Sequence, residues 1–165
     1  MMAVTPVSRA ASRRIAGLFV SLVASLGVSA IGGRITAASV GDWYQALIKP
    51  PFNPPDWAFP PVWTALYILM GLAAWRIWDR NPIGIRRALA VYAAQLSLNL
   101  GWTILFFGLQ RPDWALIEIV PLLGFILWTV ALFRPLDRVA AWLLAPYALW
   151  VAFAVYLNAG IVALN

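Results

Sequence analysis

Residues 42–71 read DWYQALIKPPFNPPDWAFPPVWTALYILMG, and the interpretation of the whole chain starts from this stretch. Its prolines and tryptophans are Pro50, Pro51, Pro54, Pro55, Pro60, Pro61, Trp43, Trp57 and Trp63. Because proline has no N–H and a fixed φ, a segment this rich in proline forms neither a helix interior nor a central strand. The stretch therefore predicts a stiff loop with aromatic anchors that leads directly into an apolar helix.

The composition is that of a membrane protein. The chain has 165 residues, of which 63% are hydrophobic and 11% charged, and its mean hydropathy is +0.82. A soluble domain has about a quarter charged residues. The apolar residues recur in blocks of about 20, which is the length that a helix needs to cross a bilayer. The sequence therefore predicts an all-α integral membrane bundle of five transmembrane helices.

Several classes of function are excluded by what the sequence lacks. It has no cysteine and no histidine, so it offers neither a disulfide framework nor thiolate or imidazole metal ligands. It has no glycine-rich phosphate loop, no Ser/His/Asp set and no paired carboxylates, which argues against a hydrolase or kinase. The net charge of +6 does not indicate nucleic-acid binding, because the basic residues flank apolar segments. We expect no metal, no obligatory cofactor and no nucleic-acid partner.

The apolar segments divide the chain into a basic tail, 1–14, and one membrane domain, 15–165. The predicted helices cover 15–35, 56–77, 88–108, 114–133 and 138–163, and the proline-rich loop covers 36–55. The first segment is longer than the apolar region of a signal peptide, which favours a transmembrane helix over a cleaved signal. Pro121 and Pro146 fall inside the fourth and fifth helices, where they predict kinks.

The basic residues are unevenly divided between the two ends of this bundle. Of the 12 lysines and arginines, Arg34, Lys49 and Arg111 lie at one end and the other nine lie at the opposite end. By the positive-inside rule, the N-terminus is predicted to be cytoplasmic and the C-terminus to lie on the other side, together with the proline-rich loop. The charge distribution leaves open which membrane the chain occupies.

Aromatic and polar residues share one face on each of three predicted helices. These faces are Tyr92, Gln95, Asn99, Trp102 and Phe106 on the third; Tyr147, Trp150, Ala154 and Asn158 on the fifth; and Trp63, Tyr67 and Met70 on the second. The amides either join helices by hydrogen bonds or contact a ligand, and aromatic stripes are often packing or interfacial belts. Because the tryptophans lie inside their helices, the faces also suggest a pocket for a large, flat, apolar ligand.

Two further features stand outside these faces. Glu118, near the start of the fourth helix, either reaches the membrane interface or forms a proton or cation site, and the interface is favoured because no other acid is evident at membrane depth. Ala90 and Ala94 form a small-xxx-small pattern, which is typical of close helix contacts and indicates a dimer seam.

Three motifs resemble those of the TspO/MBR family of tryptophan-rich sensory proteins and translocator proteins. They are WYxxLxKPxxxPPxWxFxPVWxxLYxxMG at 43–71, YxxQLxLNxxWxxxFFG at 92–108 and PYxxWxxFAxxLN at 146–158. The resemblance covers all five predicted helices. It implies a homodimeric bundle that binds protoporphyrin IX-like tetrapyrroles and other flat apolar molecules, with a sensory, regulatory or transport role in porphyrin metabolism.

The resemblance also implies where the ligand lies. The family pocket maps onto Tyr44, Trp63, Asn99, Trp102, Trp114, Trp150, Phe153, Ala154 and Leu157. The loop is interpreted as a lid, with Trp43, Lys49, Pro50, Pro54 and Pro55.

Two alternative functions stay open beside porphyrin binding. Light-dependent porphyrin degradation is attributed to some bacterial relatives; in that case the catalytic residues would be Trp63 and Trp150, and otherwise no catalytic residue is predicted. Lipid or sterol transport is the other alternative. No basic residue follows Tyr147 or Tyr156 as the animal sterol motif requires.

Overall fold

The structure is a computed structural model that describes residues 6–80 and 83–165, with side chains from residue 11 onward. Within these ranges the chain is almost entirely helical and has no strand. Five of its helical segments are long and apolar enough to cross a membrane. The five-helix, all-α membrane bundle predicted from the sequence is therefore confirmed.

The helices follow one another with short connections. They are α1 (Pro6–Val40), α2 (Trp43–Ala46), α3 (Phe59–Arg80), α4 (Ile85–Thr103), α5 (Pro112–Leu136), α6 (Arg138–Leu143) and α7 (Ala145–Leu164). A 3₁₀ turn at Asp56–Ala58 precedes α3, and a π-helical turn at Ile104–Gly108 continues α4. The short helix α6 and the long helix α7 together form the fifth membrane span.

The first helix is longer than the predicted segment 15–35. It begins at Pro6, inside the predicted tail, and ends at Val40, inside the predicted loop. The prediction followed the apolar run, whereas a helix continues through polar and small residues until a breaker stops it. The loop proper therefore begins at Gly41 and is shorter than the sequence indicated.

The prolines inside the spans act in two different ways. Pro121 and Pro135 lie within α5, which stays helical through both and reaches Leu136. The fifth span instead breaks at Leu144, and Pro146 occupies the first turn of α7, where its missing N–H costs no internal hydrogen bond. The sequence predicted a kink at Pro146, and the structure instead has a break between α6 and α7 just before this proline.

Asp137 connects three helices at the end of the bundle opposite the proline-rich loop. Its Oδ2 lies 2.9 Å from the Nε atoms of both Arg76 and Arg80 on α3. Its Oδ1 accepts the backbone N–H groups of Val139 and Ala140 and so caps α6. Burial raises the pKa of the Asp137 carboxyl, but the bonds from Arg76 and from the two backbone N–H groups outweigh it and hold the pKa below its ordinary value.

Substituting Asp137 by alanine is expected to lower the free energy of unfolding by about 2–3 kcal/mol, since two arginines lose their partner and α6 loses its cap. Asp137→Asn keeps the cap geometry and should lose less. Because the folded-state pKa is depressed, the stabilisation is present above about pH 4 and is lost as the pH falls through the folded-state pKa. Thermal unfolding in detergent at pH 7 and at pH 3 measures both effects. A wild-type advantage over Asp137→Asn that persisted unchanged at pH 3 would contradict the assignment.

Helices α1 and α3 approach each other closely through small residues. A Cβ atom on Gly71 would lie 2.6 Å from the Ser25 Oγ and 3.2 Å from the Ser21 carbonyl oxygen. A Cβ on Gly17 would lie 2.1 Å from the Trp78 ring. Small residues at the interface between two membrane helices allow their backbones to approach this closely. The contact fixes α1 against α3 and leaves the other side of α1 free to form a wall.

Candidate functional site

A cavity of about 490 Å³ lies at the loop end of the bundle, within the size range of small-molecule sites. It is lined by described residues of α1, α3, α4 and α7, by the π-helical turn and by the loop, whereas α5, which is described throughout, contributes none. The lining is mostly apolar, and Asp56 is the one charged residue among the described lining residues. The cavity suits a large apolar molecule with few polar groups.

The α1 wall of this cavity consists mostly of small residues. Its residues are Ser29, Gly32, Gly33, Thr36, Ala37 and Val40. They recur at helical spacing, so they form one stripe along α1. A Cβ atom on Gly33 would have no heavy atom within 4 Å, which shows that Gly33 faces the open space directly. The wall therefore carries few bulky side chains, and at Gly33 the backbone itself borders the cavity.

The facing walls are aromatic. The Trp63 and Trp150 ring centroids lie 6.4 Å apart at an interplanar angle of 87°, and Phe59 lies 5.9 Å from Trp150. At the other side, Trp102 stacks on Phe106 at 5.1 Å with an angle of 24°. Edge and stacked contacts of this kind hold aromatic rings in fixed orientations. The cavity thus combines indole rings with a wall of small residues.

The π-helical turn places two consecutive phenylalanines at the cavity. Both Phe106 and Phe107 line it. The wider turn is closed by a bond from the Leu109 N–H to the Ile104 carbonyl, and the Ser39 hydroxyl donates to the Phe107 carbonyl at 2.6 Å. Single π-helical turns often occur at functional sites. Phe106 was predicted to lie on the polar–aromatic face and Phe107 was not, because a regular α-helix turns Phe107 100° away from that face.

Asn99 lies behind the aromatic wall and organises it. It is 1% exposed and does not line the cavity. Its Oδ1 accepts the Tyr67 hydroxyl, and its Nδ2 donates to the Tyr147 hydroxyl at 3.1 Å. Tyr67 lines the cavity, so Asn99 acts on the site through the orientation of that ring. Asn99 is therefore a positioning residue in this structure, whereas the family resemblance implied that it lines the pocket.

Asn158 fixes the indole on the other side of the cavity. Its Oδ1 accepts the Trp102 Nε1–H at 3.1 Å, and its Nδ2 donates to the Pro112 carbonyl at 2.8 Å. Both Trp102 and Asn158 line the cavity. Asn158 was on a predicted helical face but was not among the predicted binding residues, although a buried amide beside a predicted binding tryptophan was a usable signal.

The loop is fastened to α7 rather than resting freely over the cavity. The Asn165 side chain accepts the Ile48 N–H at 2.9 Å and donates to the Ile48 carbonyl at 3.0 Å. The Tyr156 hydroxyl donates to the Pro51 carbonyl at 2.8 Å. Pro50 lies so close to Gly160 that a Cβ there would be 2.5 Å from it. Three separate contacts therefore hold the lid to one helix.

Of the predicted lid residues, Lys49 has the clearest link to the cavity. Its Nζ lies 4.6 Å from the ring centroid of Tyr44, which lines the cavity. Burial raises the pKa of the Tyr44 hydroxyl above its ordinary value, with the bond to Asn53 acting against this and Asp56 acting with it. Trp43, Pro50, Pro54 and Pro55 shape the loop but do not themselves line the cavity.

The structure brings most of the predicted binding residues together. Those that line the cavity are Tyr44, Trp63, Trp102, Trp150, Phe153, Ala154 and Leu157. Trp114 does not: it is 54% exposed on α5, with the Arg111 guanidinium 5.9 Å from its ring centroid. Trp114 was assigned to the pocket by the family resemblance alone, and in the folded bundle α5, which is described over its whole length, contributes no residue to the cavity lining.

Glu118 and the predicted dimer seam lie away from this cavity. Both Glu118 carboxylate oxygens are buried and form no hydrogen bond with a described residue, so they do not reach the interface that the sequence favoured. Ala90 is exposed and Ala94 is half-buried on α4. An exposed small residue leaves this face available to a second chain, and the homodimer stays a prediction.

Comparison with known proteins gives a consistent result. The model of the TspO/MBR family matches residues 19–164. The tryptophan-rich protein TspO of Chlorobaculum tepidum is 43% identical over 144 residues, which cover 85% of this chain and 90% of that protein. The tryptophan-rich sensory protein of Cereibacter sphaeroides is 40% identical over 148 residues (90% and 91%), and the human translocator protein is 35% identical over 141 residues (84% and 83%). The chain therefore belongs to the TspO/MBR family, as the three sequence motifs predicted.

Proposed function

We propose that this multi-pass membrane protein binds tetrapyrroles such as protoporphyrin IX, and other flat apolar molecules, in the cavity between α1, α3 and α7. The observation that carries the proposal is that small residues of α1 around Gly33 and the indoles of Trp63 and Trp150 line the same cavity. A planar macrocycle needs this shape, because its two faces must both be covered at van der Waals distance. Its role in the cell is a sensory, regulatory or transport role in porphyrin metabolism.

The charged groups near the cavity favour one orientation for a ligand that carries carboxylates. Asp56 lies in the lining at the loop end and repels an anion. Lys49 lies over the Tyr44 ring and attracts one. The carboxylates of a bound porphyrin are therefore expected near Lys49, with the apolar part of the ring against the tryptophans.

The fastened loop favours access from the side of the bundle. The contacts of Asn165, Tyr156 and Gly160 with the loop all have to break before it can swing away from α7. An apolar ligand dissolved in the bilayer can instead pass between α1 and α7, which face each other across the cavity. A loop that is already ordered also loses little conformational entropy when a ligand binds.

Substituting Trp150 by phenylalanine is expected to weaken protoporphyrin IX binding about tenfold, because the smaller phenyl ring covers less of the ligand. The Soret band of the porphyrin is the proper readout, since removing a tryptophan also changes the protein's own fluorescence. Trp114→Phe is the matched control, because Trp114 lies outside the cavity. Equal dissociation constants for wild type and Trp150→Phe would remove Trp150 from the site.

A porphyrin-degrading enzyme is the second candidate, and the contact between Trp63 and Trp150 favours it. Both indoles line the cavity, with centroids 6.4 Å apart, so both would touch a bound ring. Illumination of the purified protein with porphyrin, followed by absorbance, separates degradation from binding. Product formation above that of free porphyrin, and its loss in Trp150→Phe at saturating ligand, would establish the enzyme.

A further inference from the structure

A second opening lies at the opposite end of the bundle from the cavity. It is an open groove of about 610 Å³ between the end of α3, the end of α5 and the start of α6. Its lining residues are Arg80, Arg134, Pro135, Leu136, Asp137, Arg138 and Val139. The groove shares no described lining residue with the proposed porphyrin site and is therefore a separate feature of the structure.

The groove has an excess of positive charge. Asp137 is its one acid, and both oxygens of Asp137 are already engaged by α3 arginines and by the α6 backbone. In the described part of the chain, Arg134 and Arg138 form no hydrogen bond or ion pair. Both side chains are exposed, and so is that of Arg80. Three guanidinium groups around one opening favour an anion with several acceptor oxygens.

The groove also borders the part of the bundle that meets the lipid chains. Just after it on α6, Val139 is 50% exposed and Trp142 is 75% exposed. Both belong to the span Arg138–Leu164, whose outer side faces the bilayer. An exposed tryptophan within about one turn of an arginine is typical of the headgroup boundary of a membrane. A molecule with an anionic head and an apolar tail matches both surfaces.

We propose that this groove binds the headgroup phosphate of an anionic phospholipid. The guanidinium groups of Arg80, Arg134 and Arg138 donate to the phosphate oxygens, and an acyl chain lies along Val139 and Trp142. Basic pockets at helix ends are known to hold lipid headgroups in this way. Arg80 on α3 also forms an ion pair with Asp137, which caps α6. A phosphate bound to Arg80 therefore adds to the interactions that hold α3 and α6 together. The lipid is therefore expected to stabilise this end of the bundle.

The test compares two lipids and two double variants. The protein is purified in neutral detergent, and its thermal unfolding is followed as phosphatidylglycerol or phosphatidylcholine with the same acyl chains is added. Wild type should be stabilised by phosphatidylglycerol well beyond phosphatidylcholine. Arg134→Gln/Arg138→Gln should weaken the apparent affinity for phosphatidylglycerol about 30-fold, since each arginine contributes near a charged headgroup.

The matched control is Arg86→Gln/Arg87→Gln, which removes the same charge from exposed residues at the same end of the bundle, outside the groove. This control should keep the phosphatidylglycerol effect. If both double variants lost the same affinity for phosphatidylglycerol, the effect would come from general surface charge, and the proposed lipid site would be wrong. No preference of wild type for phosphatidylglycerol over phosphatidylcholine would overturn it as well.

A third arm separates a lipid from a free anion. Glycerophosphoglycerol carries the same phosphodiester headgroup without acyl chains, and it is expected to give little stabilisation at the same concentration. If it reproduced the whole shift, and Arg134→Gln/Arg138→Gln abolished that shift, the groove would be a site for a soluble phosphate and the lipid assignment would be wrong. The protoporphyrin IX titration is independent of all three arms, because the two sites share no residue.

Discussion

Replacing Gly33 by leucine is expected to weaken protoporphyrin IX binding about 30-fold, or about 2 kcal/mol, because a branched side chain then stands where the ring must approach the backbone. The same change should not weaken the fold. A Cβ on Gly33 meets no atom within 4 Å, and leucine is a better helix former than glycine by about 0.8 kcal/mol. The unusual pair of results, lower affinity with equal or higher stability, distinguishes a cavity wall from a packing residue.

Gly27→Leu is the control for this experiment. Gly27 is on the same helix, a Cβ there also meets no atom within 4 Å, and Gly27 does not line the cavity. Its substitution should give the same gain in helix stability with unchanged porphyrin affinity. Soret titration and thermal unfolding of both variants provide the measurement. If Gly33→Leu bound porphyrin as tightly as Gly27→Leu, α1 would not be a wall of the binding site.

Asn99→Leu is expected to destabilise the bundle by about 2–4 kcal/mol, although leucine is apolar and close in size. The substitution leaves the buried hydroxyls of Tyr67 and Tyr147 without their partner, and each unpaired buried group costs about 1–3 kcal/mol. Porphyrin binding should weaken as well, because the Tyr67 ring in the cavity lining loses the bond that orients it. Thermal unfolding in detergent measures the first effect and Soret titration the second.

The triple variant Asn99→Leu/Tyr67→Phe/Tyr147→Phe tests the cause. It removes both hydroxyls together with the amide, so no polar group of this set is left unpaired, and it should recover most of the lost stability. A triple variant that is as unstable as Asn99→Leu would mean that the loss comes from shape rather than from the hydrogen bonds. In that case Asn99 would be a simple packing residue.

The five spans could be predicted because bilayer thickness sets the length of an apolar run. The residues that share one face of a helix could be predicted because they recur with the helical period. Trp63, Trp102 and Trp150 were placed on inward faces by spacing alone, and all three line the cavity. The ends of α1 could not be predicted in this way, since Pro6–Val40 continues beyond the apolar run at both ends. The length of an apolar run indicates how much of the helix lies in the bilayer, whereas the end of the helix depends on where its backbone hydrogen bonds stop.

The contribution of α1 to the cavity wall was not predicted from the sequence. Small residues such as Gly32 and Gly33 are typical of close helix packing, and at Gly17 the structure shows such packing against Trp78. The same residue types give either a tight contact or an empty wall, and the difference is whether another helix lies opposite. Sequence periodicity gives the face of each helix but not its neighbour. Trp114 was assigned to the pocket by the family resemblance alone, and it does not line the cavity.

The proline-rich loop has a more specific role than its composition indicated. Proline makes it stiff, but its position is set by α7 through Asn165, Tyr156 and Gly160. None of these residues was predicted to contact the loop, because each lies more than 100 residues away in the sequence. The loop and α7 therefore act as one body, and an opening for the ligand is expected between α7 and α1.

A high-resolution structure with protoporphyrin IX bound tests the proposed site most directly. The macrocycle is expected to lie with one face on the α1 backbone at Gly33 and with its other side against Trp63 and Trp150, its carboxylates toward Lys49. A porphyrin found instead on the outer surface of the bundle, for example against the exposed rings of Trp114 or Trp142, would contradict the site and the function proposed from it.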